Sequence, residues 1–222
     1  MSTKTLFTST SSSKSFLYKA VLWLAIFTIG YNFMEGLIST YLGFEDESLS
    51  LFGFGADSFI EVISGFGILH LVLRIQKNNH TTRDSFERTA LRITGFAFYT
   101  LVAGLTLTSF FNIWTGHKPE TTFWGVIISI ISIAVMWALV YGKINLGNKL
   151  SSDAIKADAG CTKVCIYMSV VLLVASGIYE FTHLPYIDSI GTLGIAYFAF
   201  KEGRECFEKA NSDKICSSSC SC

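Results

Sequence analysis

Charge is what this chain has least of. Asp, Glu, Lys and Arg make up 15% of its 222 residues, against about a quarter in a typical soluble domain. With only two prolines, half of its residues hydrophobic and a mean hydropathy of +0.46, it does not read as an ordinary soluble domain. Neither sign of charge dominates, since 17 basic residues balance 17 acidic ones. No basic stripe with interleaved aromatics is present, which argues against a nucleic-acid partner. Also missing are a P-loop, a dinucleotide fingerprint, a His-Glu-x-x-His pair and any internal repeat, so nothing marks a nucleotide-dependent enzyme or a zinc protease. No Cys-x-x-Cys occurs either, which sets aside a thiol oxidoreductase. Met1–Lys14 lacks the short apolar core and small-residue cleavage site of a signal peptide, so the first apolar run is expected to stay attached. Of the six cysteines, four lie at or beyond Cys206 and the other two share one helix-length segment. That distribution fits reduced, cytosol-facing thiols better than a disulfide scaffold.

Long apolar runs, in contrast, are abundant. Six segments are each near or above the ~20 residues a span needs: Phe16–Leu42, Leu51–Ile75, Arg88–Phe111, Phe123–Tyr141, Asp153–Phe181 and Ile187–Gly203. The loops between them, Gly43–Ser50, Gln76–Glu87, Asn112–Thr122, Gly142–Ser152 and Thr182–Tyr186, are short and polar. Short loops make consecutive helices antiparallel neighbours. The expected fold is therefore an all-α, polytopic bundle of six transmembrane helices. It divides into a flexible cytoplasmic tail over 1–15, a transport domain over 16–205 and a flexible Cys-bearing cytoplasmic tail over 206–222. The first, third and fifth loops hold a single basic residue, Lys118. By the positive-inside rule both termini are then cytoplasmic, most simply in a plasma (inner) membrane. Trp114, Trp124 and Tyr186 fall where interfacial aromatics belong.

Acidic residues inside such runs are expensive and default to function. Asp57 and Glu61 lie four apart, on one face of the second segment. Two close carboxyls without a cation do not both ionise, so cation entry would expel protons. The bland alternative is a protonated carboxyl bonded to a neighbouring helix. On the fifth segment, Asp158, Cys161 and Cys165 follow at i, i+3 and i+7, a single stripe. Two oxygens and two sulfurs from Asp57, Glu61, Cys161 and Cys165 would form a set that Zn²⁺ or Cd²⁺ accepts. Against this stands the ordinary use of Cys as a small packing residue.

Asn32 and Glu35 lie three apart in the first segment and would line an ion path or bond across the bundle. Asp188 reads as a helix N-cap, and His70 as a packed histidine. Cys206, Cys216, Cys220 and Cys222 could capture a soft cation at the cytosolic mouth. Palmitoylation of Cys206 and an inconsequential tail are the competing uses. If the tail alone matters, the protein is instead a non-transporting membrane metal-binding or handover protein, and Asp57 is dispensable.

Gly53-Phe-Gly-Ala-Asp-Ser-Phe-Ile-Glu-Val-Ile-Ser-Gly65, Ala157-Asp158-Ala159 leading into Cys165, and Phe200-Lys-Glu-Gly-Arg-Glu205 together resemble the membrane domain of the cation diffusion facilitator family. The likeness runs from about Tyr31 to Glu205 and is strongest in the second and fifth segments. It implies a six-helix homodimer exchanging Zn²⁺ or a related divalent ion for protons, exporting it from the cytosol. The metal is then cargo, and no resident cofactor is implied. Family transport sites pair Asp or His with Asp on both the second and fifth spans. Matched residue by residue, the first pair becomes Asp57 and Glu61, and the second becomes Cys161 and Cys165. The thiols soften the ligand set toward Cd²⁺, Hg²⁺ or Cu⁺. The family's cytosolic metal-binding domain and a His-rich loop after the fourth span have no counterpart here.

Overall fold

The computed structural model describes residues 5–78, 85–116, 118–150, 153–184 and 186–212. Among them are six helices and no strand: α1 Thr5–Glu45, α2 Leu49–Asn78, α3 Ser85–Thr115, α4 Phe123–Leu150, α5 Asp153–Thr182 and α6 Tyr186–Asn211. The all-α expectation holds. Five of these are long and apolar enough to cross a membrane: Phe16–Glu45, Leu49–Arg74, Arg88–Thr115, Phe123–Leu150 and Asp158–Thr182. At 26 residues α6 is about 39 Å long and reaches as far as a bilayer is thick. Its C-terminal half is too charged for it to join the other five.

Helices overrun the apolar runs because polar residues extend a helix freely once it leaves hydrocarbon. The segment read as the fourth loop is the clearest case, since α4 runs on through Lys149 to Leu150. Lys143, which sequence reasoning assigned to a solvated loop, is thereby carried inward on a helix and buried.

The helices close a ring in the order α1, α2, α3, α6, α5, α4, and α2 also reaches across it to α5 and α6. The crossing is filled by Leu51, Phe54, Met168, Leu172, Ile195 and Ala199. Outside the ring, Trp23, Phe27, Phe96, Phe110, Phe111 and Trp137 are exposed. A shell of exposed large apolar side chains this extensive belongs against lipid. Small residues let α1 and α2 approach closely, as they do in membrane bundles. A Cβ on Gly55 would fall 2.5 Å from the Thr40 backbone nitrogen, and one on Gly43 would collide with the backbone of Phe52.

The two ends of the bundle differ. Where α1 joins α2, α3 joins α4 and α5 joins α6, the connections are tied together. Asp188 at the start of α6 accepts hydrogen bonds from Ser48 Oγ at 2.8 Å and from the backbone of Leu49 and Ser50 at 2.9 and 3.3 Å. It therefore caps a helix as expected, but the helix is α2 rather than its own. Glu120 N donates to Asp46 O at 3.0 Å, Thr121 Oγ1 to Glu180 Oε1 at 2.8 Å, and Tyr179 OH to Pro119 O. These bonds satisfy helix-end groups that hydrocarbon could not.

Candidate cation site

Toward the opposite end, near the close of α4, the start of α5 and the later turns of α6, lies a cavity of about 70 Å³. That is room for a few waters or a partly hydrated ion. Its polar lining includes Asn32, Glu61, Asp158, Cys161, Cys165, Glu202 and Cys206, drawn from four helices. Apolar residues Leu91, Phe98 and Met136 wall it on the other sides.

The four-residue spacing of α2 puts Glu61 at the cavity and Asp57 one turn deeper, toward the tied end. Glu61 is held from two sides. Asn32 Nδ2 of α1 donates to its Oε2 at 2.7 Å, and Cys165 Sγ of α5 donates to its Oε1. A carboxyl and a thiol brought together from separate helices are thus in direct contact, as the α2–α5 pairing required. Cys165 is itself 3.6 Å from the Cys161 carbonyl oxygen one turn back. Asp57 does not line the cavity. It is 2% exposed, and its Oδ1 has no hydrogen-bond partner. It lies within electrostatic reach of Glu61, Glu202 and Glu35.

Glu35 is also buried behind the cavity, accepting from Tyr31 OH at 2.9 Å and Ser58 Oγ at 3.1 Å. Of the two residues expected along the ion path, then, Asn32 touches the site and Glu35 braces the α1–α2 contact. Asp158 lines the cavity but is already engaged, its Oδ2 standing 3.0 Å from Lys143 Nζ, which also donates to Thr162 Oγ1 at 2.9 Å. Cys206 belongs to α6, buried at the same cavity rather than in a tail. Cys216, Cys220 and Cys222 lie outside the described residues. Among the described residues, no three His, Cys, Asp or Glu side chains are gathered about one point as a finished metal site.

Three further charged groups at the cavity escaped sequence reasoning: Lys143, Glu202 and Lys209. Each is buried. The signal available for Glu202 was its place in the Phe200–Glu205 stretch, four residues before Cys206 and so on the same helical face.

A family profile described as the cation efflux transmembrane domain matches residues 21–213. It therefore spans all of α2 to α6 and most of α1, including every described residue of the cavity. No curated protein matches the chain.

Proposed function

Because the chain belongs to the cation efflux (cation diffusion facilitator) family and is a membrane cation transporter by that membership, we propose that its cargo is a divalent transition or heavy-metal ion, Zn²⁺ or the softer Cd²⁺ and Hg²⁺. The contact between Glu61 and Cys165 carries this reading. It joins one carboxyl oxygen and one sulfur from two helices inside an apolar bundle, beside a cavity wide enough for the ion. Asp57 and Cys161, each one helical turn from that pair, complete a set of two oxygens and two sulfurs as the helices adjust around the ion. Asp158 stays neutralised by Lys143 and shapes the mouth.

The shared proton gives the coupling. As long as Cys165 donates to Glu61, the pair holds at least the thiol proton, and a cation ligated by both must displace it. Metal moving one way and protons the other follow from one set of groups. The basic residues of the loops orient both termini, and all six helices including α6, so that the cavity opens to the cytosol. The tied end then faces outward, and alternating access exports the ion. The homodimer is adopted from the family resemblance.

The test is metal uptake by proteoliposomes of the purified protein, comparing Zn²⁺, Cd²⁺ and Hg²⁺. Asp57→Ala, Cys165→Ser and a Cys216→Ser/Cys220→Ser/Cys222→Ser variant are run beside the wild type. Uptake lost in the first two and retained in the third supports the reading. Uptake that ignores Asp57 and Cys165 refutes it.

A further inference from the structure

The face of α6 turned to the cavity carries its own ligand-type side chains. Glu202, Cys206 and Lys209 recur at i, i+4 and i+7, so all three share one face of the helix, and all three line the cavity. Glu202 is buried beside the cavity with Oε1 lacking any hydrogen-bond partner. Cys206 is 4% exposed on the same lining. Lys209 reaches across to α5, where its Nζ stands 3.3 Å from Cys161 Sγ, and it also pairs with Glu205 at 3.2 Å. One helix thus presents a sulfur, an orphaned carboxyl oxygen and an ammonium to a second sulfur on its neighbour.

We propose that Cys161, Cys206 and Glu202 form a second cation site between α5 and α6, for a thiophilic metal ion of the Cd²⁺ or Hg²⁺ class, and that the Lys209 ammonium holds the cation's place there until an ion displaces it. The inference rests on the reading that metal ions pass through this cavity. Two sulfurs with one oxygen select soft cations over Mg²⁺ or Ca²⁺. A buried carboxyl oxygen without a partner costs free energy that an arriving cation relieves. Among the described residues no three ligand side chains are gathered about one point, and the Lys209 ammonium at Cys161 stands where the proposed ion would draw them together. Cys161 stands four residues, about 6 Å along α5, nearer the open end than Cys165. Shared by both sites, it passes an ion from the α5–α6 site to Glu61 and Cys165. The pair Glu205 and Lys209, with Lys209 swung back onto Glu205, keeps the released ammonium neutralised.

The experiment uses the full chain with Cys165, Cys216, Cys220 and Cys222 replaced by Ser, leaving Cys161 and Cys206 as the only thiols. Cd²⁺ alone is titrated while the ultraviolet thiolate-to-cadmium band is followed. A saturable band is expected, losing about half its amplitude with Cys206→Ser because one of two sulfurs is gone. Lys209→Met should lower the half-saturating Cd²⁺ concentration roughly tenfold by removing the fixed competitor, while Lys209→Arg keeps the parent value. Glu202→Gln should raise it. Cys206→Ala is measured alongside, and whichever of the two Cys206 variants elutes as a single species decides the point. No band, a band indifferent to Cys206, or a Lys209→Met titration identical to the parent overturns the inference. Metal flux through the wild type and Asp57→Ala, both with all six cysteines retained, separates the two readings. A band sensitive to Cys206 beside a wild type that moves no metal sinks the transport reading alone. Metal flux dependent on Asp57, with a band blind to Cys206, sinks the second site alone.

Discussion

Replacing Asp188 by Ala should destabilise the bundle far more than a surface change on α6 would. Its carboxylate is 2% exposed and sits over the first turn of α2. There it accepts from the backbone N–H of Leu49 and Ser50 and from the hydroxyls of Ser48 and Ser50. The two hydroxyls can turn to each other, Ser48 Oγ and Ser50 Oγ lying 3.4 Å apart, and Ser48 Oγ already accepts from the Leu51 N–H at 3.4 Å. The two backbone donors cannot turn. Each buried donor stranded by Asp188→Ala costs about 1–3 kcal/mol, and a negative charge at a partly buried helix N-terminus is worth up to about 2 kcal/mol. Allowing for partial rearrangement, a loss of about 3 kcal/mol follows for Asp188→Ala. Asp188→Asn keeps one acceptor oxygen but turns its NH₂ toward the donors of the other, so it recovers only part of this and should cost about 2 kcal/mol. Reversible unfolding in mixed micelles, monitored by Trp fluorescence, measures both. Equal losses for Ala and Asn, or a neutral Asp188→Ala, would refute the capping argument.

Gly55→Val should push α1 and α2 apart, because even a Cβ there meets the Thr40 backbone. A cost of about 1–3 kcal/mol is expected, with metal uptake falling as well, since the Asn32–Glu61 bond spans the same interface. A double-mutant cycle of Lys143→Met and Asp158→Asn should give an interaction energy of about 1–3 kcal/mol. That is below a fully buried pair because the Asp158 side chain is 16% exposed to the cavity; additive single effects would show the pair to be incidental. Asp46, in the α1–α2 connection, has its carboxyl pushed above the ordinary 3.8 by burial and by the charges of Glu45, Glu120 and Glu180. The folded state therefore binds that proton more tightly than the unfolded chain, and stability falls as pH rises from about 3.8 through the raised value. Asp46→Asn should flatten this fall and raise the melting temperature at pH 7 slightly; an unchanged pH profile would contradict it.

Much of the fold was legible because hydrocarbon leaves a helix little choice, and six apolar runs became six helices in order; consecutive helices pack together as expected except α3 and α4, which α6 and α5 separate in the ring. Their ends were not legible. Polar flanks such as Lys143 to Leu150 continue a helix without any apolar signal, so a residue counted as loop became a buried counter-charge. At the site, spacing put Glu61 on one face of α2 and Cys165 on one stripe of α5, the family resemblance paired the two, and they meet. Spacing could not say that Asp57 and Glu35 would sit a turn behind the cavity, because depth along the bundle depends on how α1, α2 and α5 are shifted against one another. Nor could it reveal that Asp158 is answered by Lys143, 15 residues away in the chain and on another helix. Cys206 was read as tail because α6 is charged past Lys201. Its burial follows from Glu202, Cys206, Lys209 and Ala210 sharing the inward face, while Arg204 and Glu208 pair on the outward one.

In the proposed function, one set of side chains on α2 and α5 both holds the cation and trades protons for it. Proteoliposomes loaded with a pH-sensitive dye and presented with external Zn²⁺ or Cd²⁺ measure both fluxes together. Proton release from the lumen that tracks metal entry, and disappears together with it in Glu61→Gln and in Cys165→Ser, is the predicted result. Metal entry with no accompanying proton movement, or proton exchange that survives both substitutions, would contradict it.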